Sequence, residues 1–223
     1  MEPYEYTYLI VGGGMAADSA VGGIRAEDPE ASIGMISADQ HMPYDRPPLS
    51  KDLWKGGSEQ EIWRQTGEMD VQILLNQQVT HIDPQAKQVR TQDGSHYRYE
   101  KLLLATGGAP RRLPFGEEHI LYYRNFEDYK QLRRWSDHGQ RFAVIGGGFI
   151  GSEIAAALAL QDNQVSMVFP EKGIGGLQFP DRLASFLNQY YQEHGVEVLT
   201  GVKPMKVFAP VGEKAETSTS VSR

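Results

Sequence analysis

Cysteine is missing from all 223 residues of the chain. Its absence excludes a disulfide framework, a thiolate metal site and a redox-active dithiol within these residues. Also missing is any apolar run of the roughly 20 residues that span a bilayer. Basic residues are the minority, 22 Lys and Arg against 29 Asp and Glu, for a formal charge of -7. Nucleic acid and anionic membrane surfaces select basic patches, so neither is an expected partner. Small anionic cofactors stay open, because local backbone dipoles hold them whatever the net charge. The six histidines (41, 81, 96, 119, 138 and 194) show no metal-ligand spacing. Each is expected on the surface or in a turn, and no metal site is expected. The start, Met1-Glu2-Pro3-Tyr4-Glu5, is acidic and runs almost at once into a strand, unlike a signal or transit peptide. These features together lead to the expectation of a soluble cytoplasmic protein.

What is present is a 40% apolar content, enough for a core in one or two domains. Tyr8-Leu9-Ile10-Val11, three glycines and an alanine-rich stretch from Ala16 to Arg25 read as strand, tight turn and helix, with Asp28-Pro29 ending the helix. A strand over Ser32–Ile36 closes a βαβ unit. Residues 38–50 are proline-rich and read as irregular. Short β-like runs follow near 71–75, 79–83 and 87–91, and Asp93-Gly94 marks a hairpin turn into Tyr97–Ala105. The chain then repeats itself: with Tyr8 placed on Phe142, about 134 residues on, Val11-Gly12-Gly13-Gly14 falls on Ile145-Gly146-Gly147-Gly148. A helix at about 181–194 and a strand at Val196–Leu199 continue the second copy. The expected fold is α/β, with two three-layer Rossmann-type domains. The expected boundaries are 1–111 and 112–209, followed by a disordered Ser/Thr/Glu/Lys tail over 210–223.

Gly12-x-Gly14-x-x-Ala17 has dinucleotide-fingerprint spacing. The first glycine makes the turn, the second lets pyrophosphate approach the backbone, and the third position must be small for helix to pack on strand. The helix N-terminus then offers free N–H groups to the phosphates. Asp39, after the second strand, is a candidate for the ribose hydroxyls, a solvated loop carboxylate being the alternative. Gly146-x-Gly148-x-x-Gly151 has all three glycines. Glu171 follows that copy's second strand and should accept hydrogen bonds from the adenine ribose. A carboxylate there also repels a 2′-phosphate, favouring NADH over NADPH, although Lys172 beside it pulls the other way. Trp54, Trp63 and Trp135 are read as packing residues rather than electron relays.

Pro43-Tyr44-Asp45-Arg46-Pro47-Pro48-Leu49-Ser50-Lys51 resembles the flavin-contacting segment of the ferredoxin-reductase-like branch of FAD/NAD oxidoreductases. Ala105-Thr106-Gly107-Gly108-Ala109-Pro110 resembles the motif at which that superfamily's chain leaves its FAD domain. Within the branch the chain is most similar to apoptosis-inducing factor and its bacterial relatives, over residues 7 to about 208. Further runs that carry the resemblance are Ser37-Ala38-Asp39, Tyr99-Glu100-Lys101, Gly146–Glu153 and Phe169–Gly173.

The resemblance implies FAD contacts from Gly12, Gly13, Gly14, Met15, Ala16, Ala17, Asp39, Arg46, Lys51, Val79, Thr106, Gly107 and Arg124. It implies NADH contacts from Gly147, Gly148, Phe149, Ile150 and Glu171. It pairs Lys51 with Glu153 beside the flavin ring, where a lysine can stabilise negative charge on the reduced ring. Ala38 and Leu177 depart from the branch, which often has glutamate and lysine there. The implied activity is hydride transfer from NADH to FAD. With no cysteine to receive them, the electrons are expected to pass to a ferredoxin or rubredoxin, to a quinone, or slowly to oxygen. A rival expectation is an NADH-sensing interaction protein whose full-length parent dimerises on reduction. The branch places its NADH domain as an insertion in the FAD domain and continues further, so the chain is expected to be cut short, and an inactive fragment is the third expectation.

Overall fold

The computed structural model describes residues 4–137 and 139–207. His138, residues 208 and 209 and the expected tail over 210–223 lie outside the described residues. The chain divides into two compact units. One comprises the residues up to Ala109 with Asn125–Tyr129, and the other Pro110–Arg124 with Lys130 onward.

The first unit is built on a six-stranded sheet in the order β3-β2-β1-β6-β5-β4. Strands β1 (Tyr4–Val11), β2 (Ile33–Ile36), β3 (Gln72–Leu74) and β6 (His96–Leu104) run parallel, and β4 (Val79–Asp83) and β5 (Gln88–Thr91) join β6 as an antiparallel meander. The central strand is apolar on both faces because both faces are covered. On one face Ile10, Ile33 and Met35 pack with Ala17 and Val21 of α1 (Met15–Glu27). On the other, Leu9 and Ile36 pack with Tyr6, Val89, Tyr97 and Tyr99. Each fully buried Leu or Ile contributes roughly 1.5–3 kcal/mol. Asp28 caps α1 through its N–H to the Ile24 carbonyl. The hairpin between β5 and β6 turns at Gly94, with φ of 87°. There the Thr91 hydroxyl and the Ser95 N–H both donate to Asp93 Oδ1, at 2.6 and 3.0 Å.

Two elements differ from the sequence reading. The proline-rich stretch is not irregular throughout: Pro47–Ser50 forms a 3₁₀ turn and a second covers Asp52–Lys55. Pro47 and Pro48 open that turn, where fixed φ suits a helical start and a missing N–H costs nothing. The other is a helix the periodicity reading passed over, α2 (Phe126–Ser136).

The second unit carries a parallel sheet, β7-β8-β9, formed by β7 (Arg141–Ile145), β8 (Gln164–Phe169) and β9 (Val196–Thr200). Between them run α3 (Phe149–Ala159) and α4 (Asp181–Glu193). Ile154, Ala155, Ala157 and Leu158 form the buried side of α3, and Val165, Met167 and Phe169 alternate along β8. The half-buried Tyr191 ties α4 to α3, its hydroxyl donating to the Ser152 carbonyl at 3.1 Å. Among the described residues no helix is long and apolar enough to cross a membrane.

Candidate functional site

In the first unit, parallel register delivers three motifs to one sheet edge. Val11 pairs with Ile36 on one side and Leu104 on the other. Gly12, Ser37 and Ala105 therefore emerge side by side at the carboxyl ends of β1, β2 and β6, where open α/β sheets bind their ligands. Gly12 has φ of +124°, and a Cβ there would lie 2.1 Å from the Ala105 carbonyl oxygen. The first glycine is thus required by the neighbouring motif as well as by its own turn. Gly14 caps α1 in extended conformation, and a Cβ on it would meet nothing within 4 Å. The space over that helix start is open to a ligand, and the first N–H groups of α1 face it without a side-chain cap. Ala17 is wholly buried, as the third position demands. Met15 and Ala16 form the first turn.

Asp39 is half-buried and held by its own loop. The His41 N–H donates to Oδ1 at 3.1 Å, and the Tyr44 hydroxyl reaches Oδ2 at 3.4 Å. Burial first, then the charge of Asp39, pushes the Tyr44 phenol up, so Tyr44 stays protonated and able to donate. Its oxygen also accepts the Phe126 N–H at 3.0 Å. Arg46 lies 5.9 Å from the centre of the Tyr44 ring, Val79 is half-buried at the start of β4, and Thr106, Gly107 and Lys51 are exposed.

His41 stands in a bend, as the surface-or-turn expectation allows, yet it has packing partners there. It is half-buried, 5.6 Å from Trp63 and 5.3 Å from Phe126 ring to ring, with Nε2 2.7 Å from Glu127 Oε1. Isolation in sequence hid it, because its partners lie at positions 63, 126 and 127. Trp54 packs as expected, buried with its N–H on the Leu49 carbonyl at 2.7 Å, whereas Trp135 is exposed. No group of three acidic or histidine side chains suited to a metal ion occurs among the described residues. Sequence reasoning also missed a partly buried ionic cluster, Asp18 with Arg64, Asp45 and Thr66. No spacing rule signals it, since its members are scattered over some fifty positions.

The second unit repeats the arrangement. Gly148 caps α3 with open space about it, and a Cβ on Gly151 would sit 2.2 Å from the Gly146 carbonyl oxygen, so that position admits only glycine. A Cβ on Gly147 would press on the Phe169 ring at 2.9 Å. Phe149 and Ile150 open α3 and are about half exposed. The Gly147 carbonyl accepts the Gly175 N–H at 2.7 Å, holding the loop after β8 against the phosphate-type turn. Beside that loop is a cavity of about 350 Å³ lined by Glu171, Lys172, Gly173, Leu177, Asp181 and Ser185 among others. Arg124 and Glu153 belong to this unit and are both half-buried.

The family profile of pyridine nucleotide-disulphide oxidoreductases matches residues 6–220. The chain is 34% identical to apoptosis-inducing factor 1 of Dictyostelium discoideum, over 88% of this chain and 42% of that protein. It is also 34% identical to the ferredoxin–NAD(+) reductase component of the anthranilate 1,2-dioxygenase system of Burkholderia cepacia, over 95% of this chain and 54% of the relative. Among solved structures, the covalent putidaredoxin reductase–putidaredoxin complex superposes with a TM-score of 0.84 at 28% identity, covering 92% of this chain and 52% of that one. The chain thus spans about half the length of the curated relatives it matches.

Proposed function

Because the chain belongs to the pyridine nucleotide-disulphide oxidoreductase family, we propose that it carries the nucleotide-binding machinery of an FAD-dependent NADH oxidoreductase, with FAD in the first unit and NADH in the second. The observation that carries this reading is the pair of open helix starts, Gly14 and Gly148, each at the carboxyl edge of a parallel sheet. Each presents unpaired backbone N–H groups with room for a pyrophosphate, so the residues present fit a dinucleotide twice over.

When bound, FAD supplies the hydride-accepting chemistry. The chain's own residues bind and orient. In this reading Gly12–Ala17 hold the FAD pyrophosphate, Asp39 the adenine-side ribose, and Arg46, Lys51, Val79, Thr106 and Gly107 the rest, while Arg124, in the second unit, stays an expectation of the resemblance. Gly147, Gly148, Phe149 and Ile150 seat NADH, and Glu171 on the cavity beside α4 accepts its ribose hydroxyls and disfavours a 2′-phosphate. In the first unit Lys51 is the candidate to set the charge near the flavin ring, and Glu153, in the second unit, stays an expectation of the resemblance alone. The 223 residues contain no cysteine, so a ferredoxin or rubredoxin, the kind of protein served by the reductases among the relatives, is the favoured electron acceptor.

The visible spectrum tests the reading. The purified chain, supplied with FAD, should show a flavin band that bleaches on anaerobic addition of NADH and returns on adding an oxidised ferredoxin. A chain that takes up no flavin, or a flavin that NADH leaves oxidised, would refute it.

A further inference from the structure

The partly buried cluster on the flank of α1 has no part in the site as described. Asp18 stands in the first turn of that helix, and its side chain is only 10% exposed. An acidic residue there stabilises the helix dipole, but it also opposes any anion brought to the same helix start. Both its oxygens are engaged: Arg64 Nε donates to Oδ2 at 2.5 Å, and the buried Thr66 hydroxyl donates to Oδ1 at 2.6 Å. The same guanidinium pairs through its other arm with Asp45. Asp45 lies in the segment Pro43–Lys51, and backbone bonds clip that segment to the stretch carrying Arg64: Asp45 N–H to the Ile62 carbonyl at 2.8 Å and Arg64 N–H to the Pro43 carbonyl at 2.9 Å. Hydrogen bonding to Asp18 is the main cause that pushes the Arg64 pKa up, so its charge is present at every working pH. One planar fork therefore joins the first turn of α1 to the segment that carries Arg46 and Lys51.

We propose that Arg64 is a positioning residue for FAD that acts through Asp18: it cancels the charge of that carboxylate beneath the pyrophosphate-binding helix start, and its second arm to Asp45 holds the guanidinium in place. This deepens the reading above and rests on it. A guanidinium suits this task, since its rigid planar fork meets two carboxylates in fixed directions, whereas a lysine ammonium is a compact point charge without that geometry.

Titration of FAD by fluorescence quenching, with urea unfolding in parallel, separates this role from plain structural support. Arg64→Gln is expected to weaken FAD binding roughly tenfold, the effect of one uncompensated charge in a partly solvated setting. The double variant Arg64→Gln/Asp18→Asn should recover most of that loss, although it has lost more hydrogen bonds and is no more stable. Binding in the double variant as weak as in Arg64→Gln, or an Arg64→Gln variant that binds like the wild type, would overturn the inference. If Arg64→Gln does not fold, Asp18→Asn alone is expected to hold FAD at least as tightly as the wild type, and a tenfold loss would overturn the compensation. A wild-type chain that does not quench FAD fails the underlying reading and takes the inference with it, whereas normal wild-type binding confines any failure to Arg64.

Discussion

At Gly12 a side chain would meet two obstacles at once, a backbone φ of +124° and the Ala105 carbonyl oxygen at 2.1 Å. Either alone costs about 1–3 kcal/mol. Gly12→Ala is therefore expected to lower stability by about 3 kcal/mol, read as a shift of the urea midpoint with unchanged slope. Asp93 illustrates a different residue-scale effect. The Thr91 hydroxyl first, and then the Ser95 N–H, hold its carboxyl down to about 2, against 3.8 for the ordinary side chain. A group with a depressed folded-state pKa contributes stability that is complete above 3.8 and is lost as pH falls towards 2. Asp93→Asn should thus lower stability at neutral pH, and the variant should lose less than the wild type on acidification from pH 4 to pH 2. Urea melts across that window check both. Asp93-Gly94 was legible as a turn because its residue types carry the geometry locally, whereas the Arg64 cluster was not, because its partners meet only through the fold.

The elements were read from the sequence with uneven success, and α2 shows why. Its start is a reciprocal cap: the Asp128 N–H donates to Asn125 Oδ1 at 2.9 Å and the Asn125 N–H to Asp128 Oδ2 at 2.8 Å. An Asn followed three positions on by an acid is a capping signature, so a signal was there. The stretch Phe126–Ser136 is dominated by polar residues, and its apolar stripe of Phe126, Tyr129 and Leu132 is short enough to be passed over. Phe126 and Tyr129 are buried in an aromatic group with Trp54, Trp63 and Tyr44, which supplies the packing that propensity does not. Asn125→Ala is expected to cost about 1 kcal/mol, seen as a lower thermal midpoint and faster amide exchange in the first turn of α2. The βαβ units were easier, since strand, glycine turn and small-residue helix follow one another within some thirty residues and repeat.

Across the whole molecule, the proposed division of labour predicts that damage to one helix start spares the other cofactor. Gly148→Asp is a clean probe, because aspartate is a favoured N-cap and the space around Gly148 is open. Stability should hold or rise slightly. The new carboxylate would compete with pyrophosphate for the same N–H groups, so NADH affinity should fall at least tenfold while FAD affinity is unchanged, both read by titration. Equal loss of both cofactors would count against separate sites. The two glycine turns, the parallel βαβ repeat and the family were determined by sequence alone, because each rests on residues close together in the chain whose chemistry is local: φ freedom, small volume and a helix start. Tertiary structure alone decided that Gly12 is locked against Ala105, that His41 packs half-buried against Trp63 and Phe126, and that Arg64 joins α1 to the Pro43–Lys51 segment. Those outcomes depend on which strands lie side by side, and sheet order arises from burying both faces of β1 rather than from any short-range pattern.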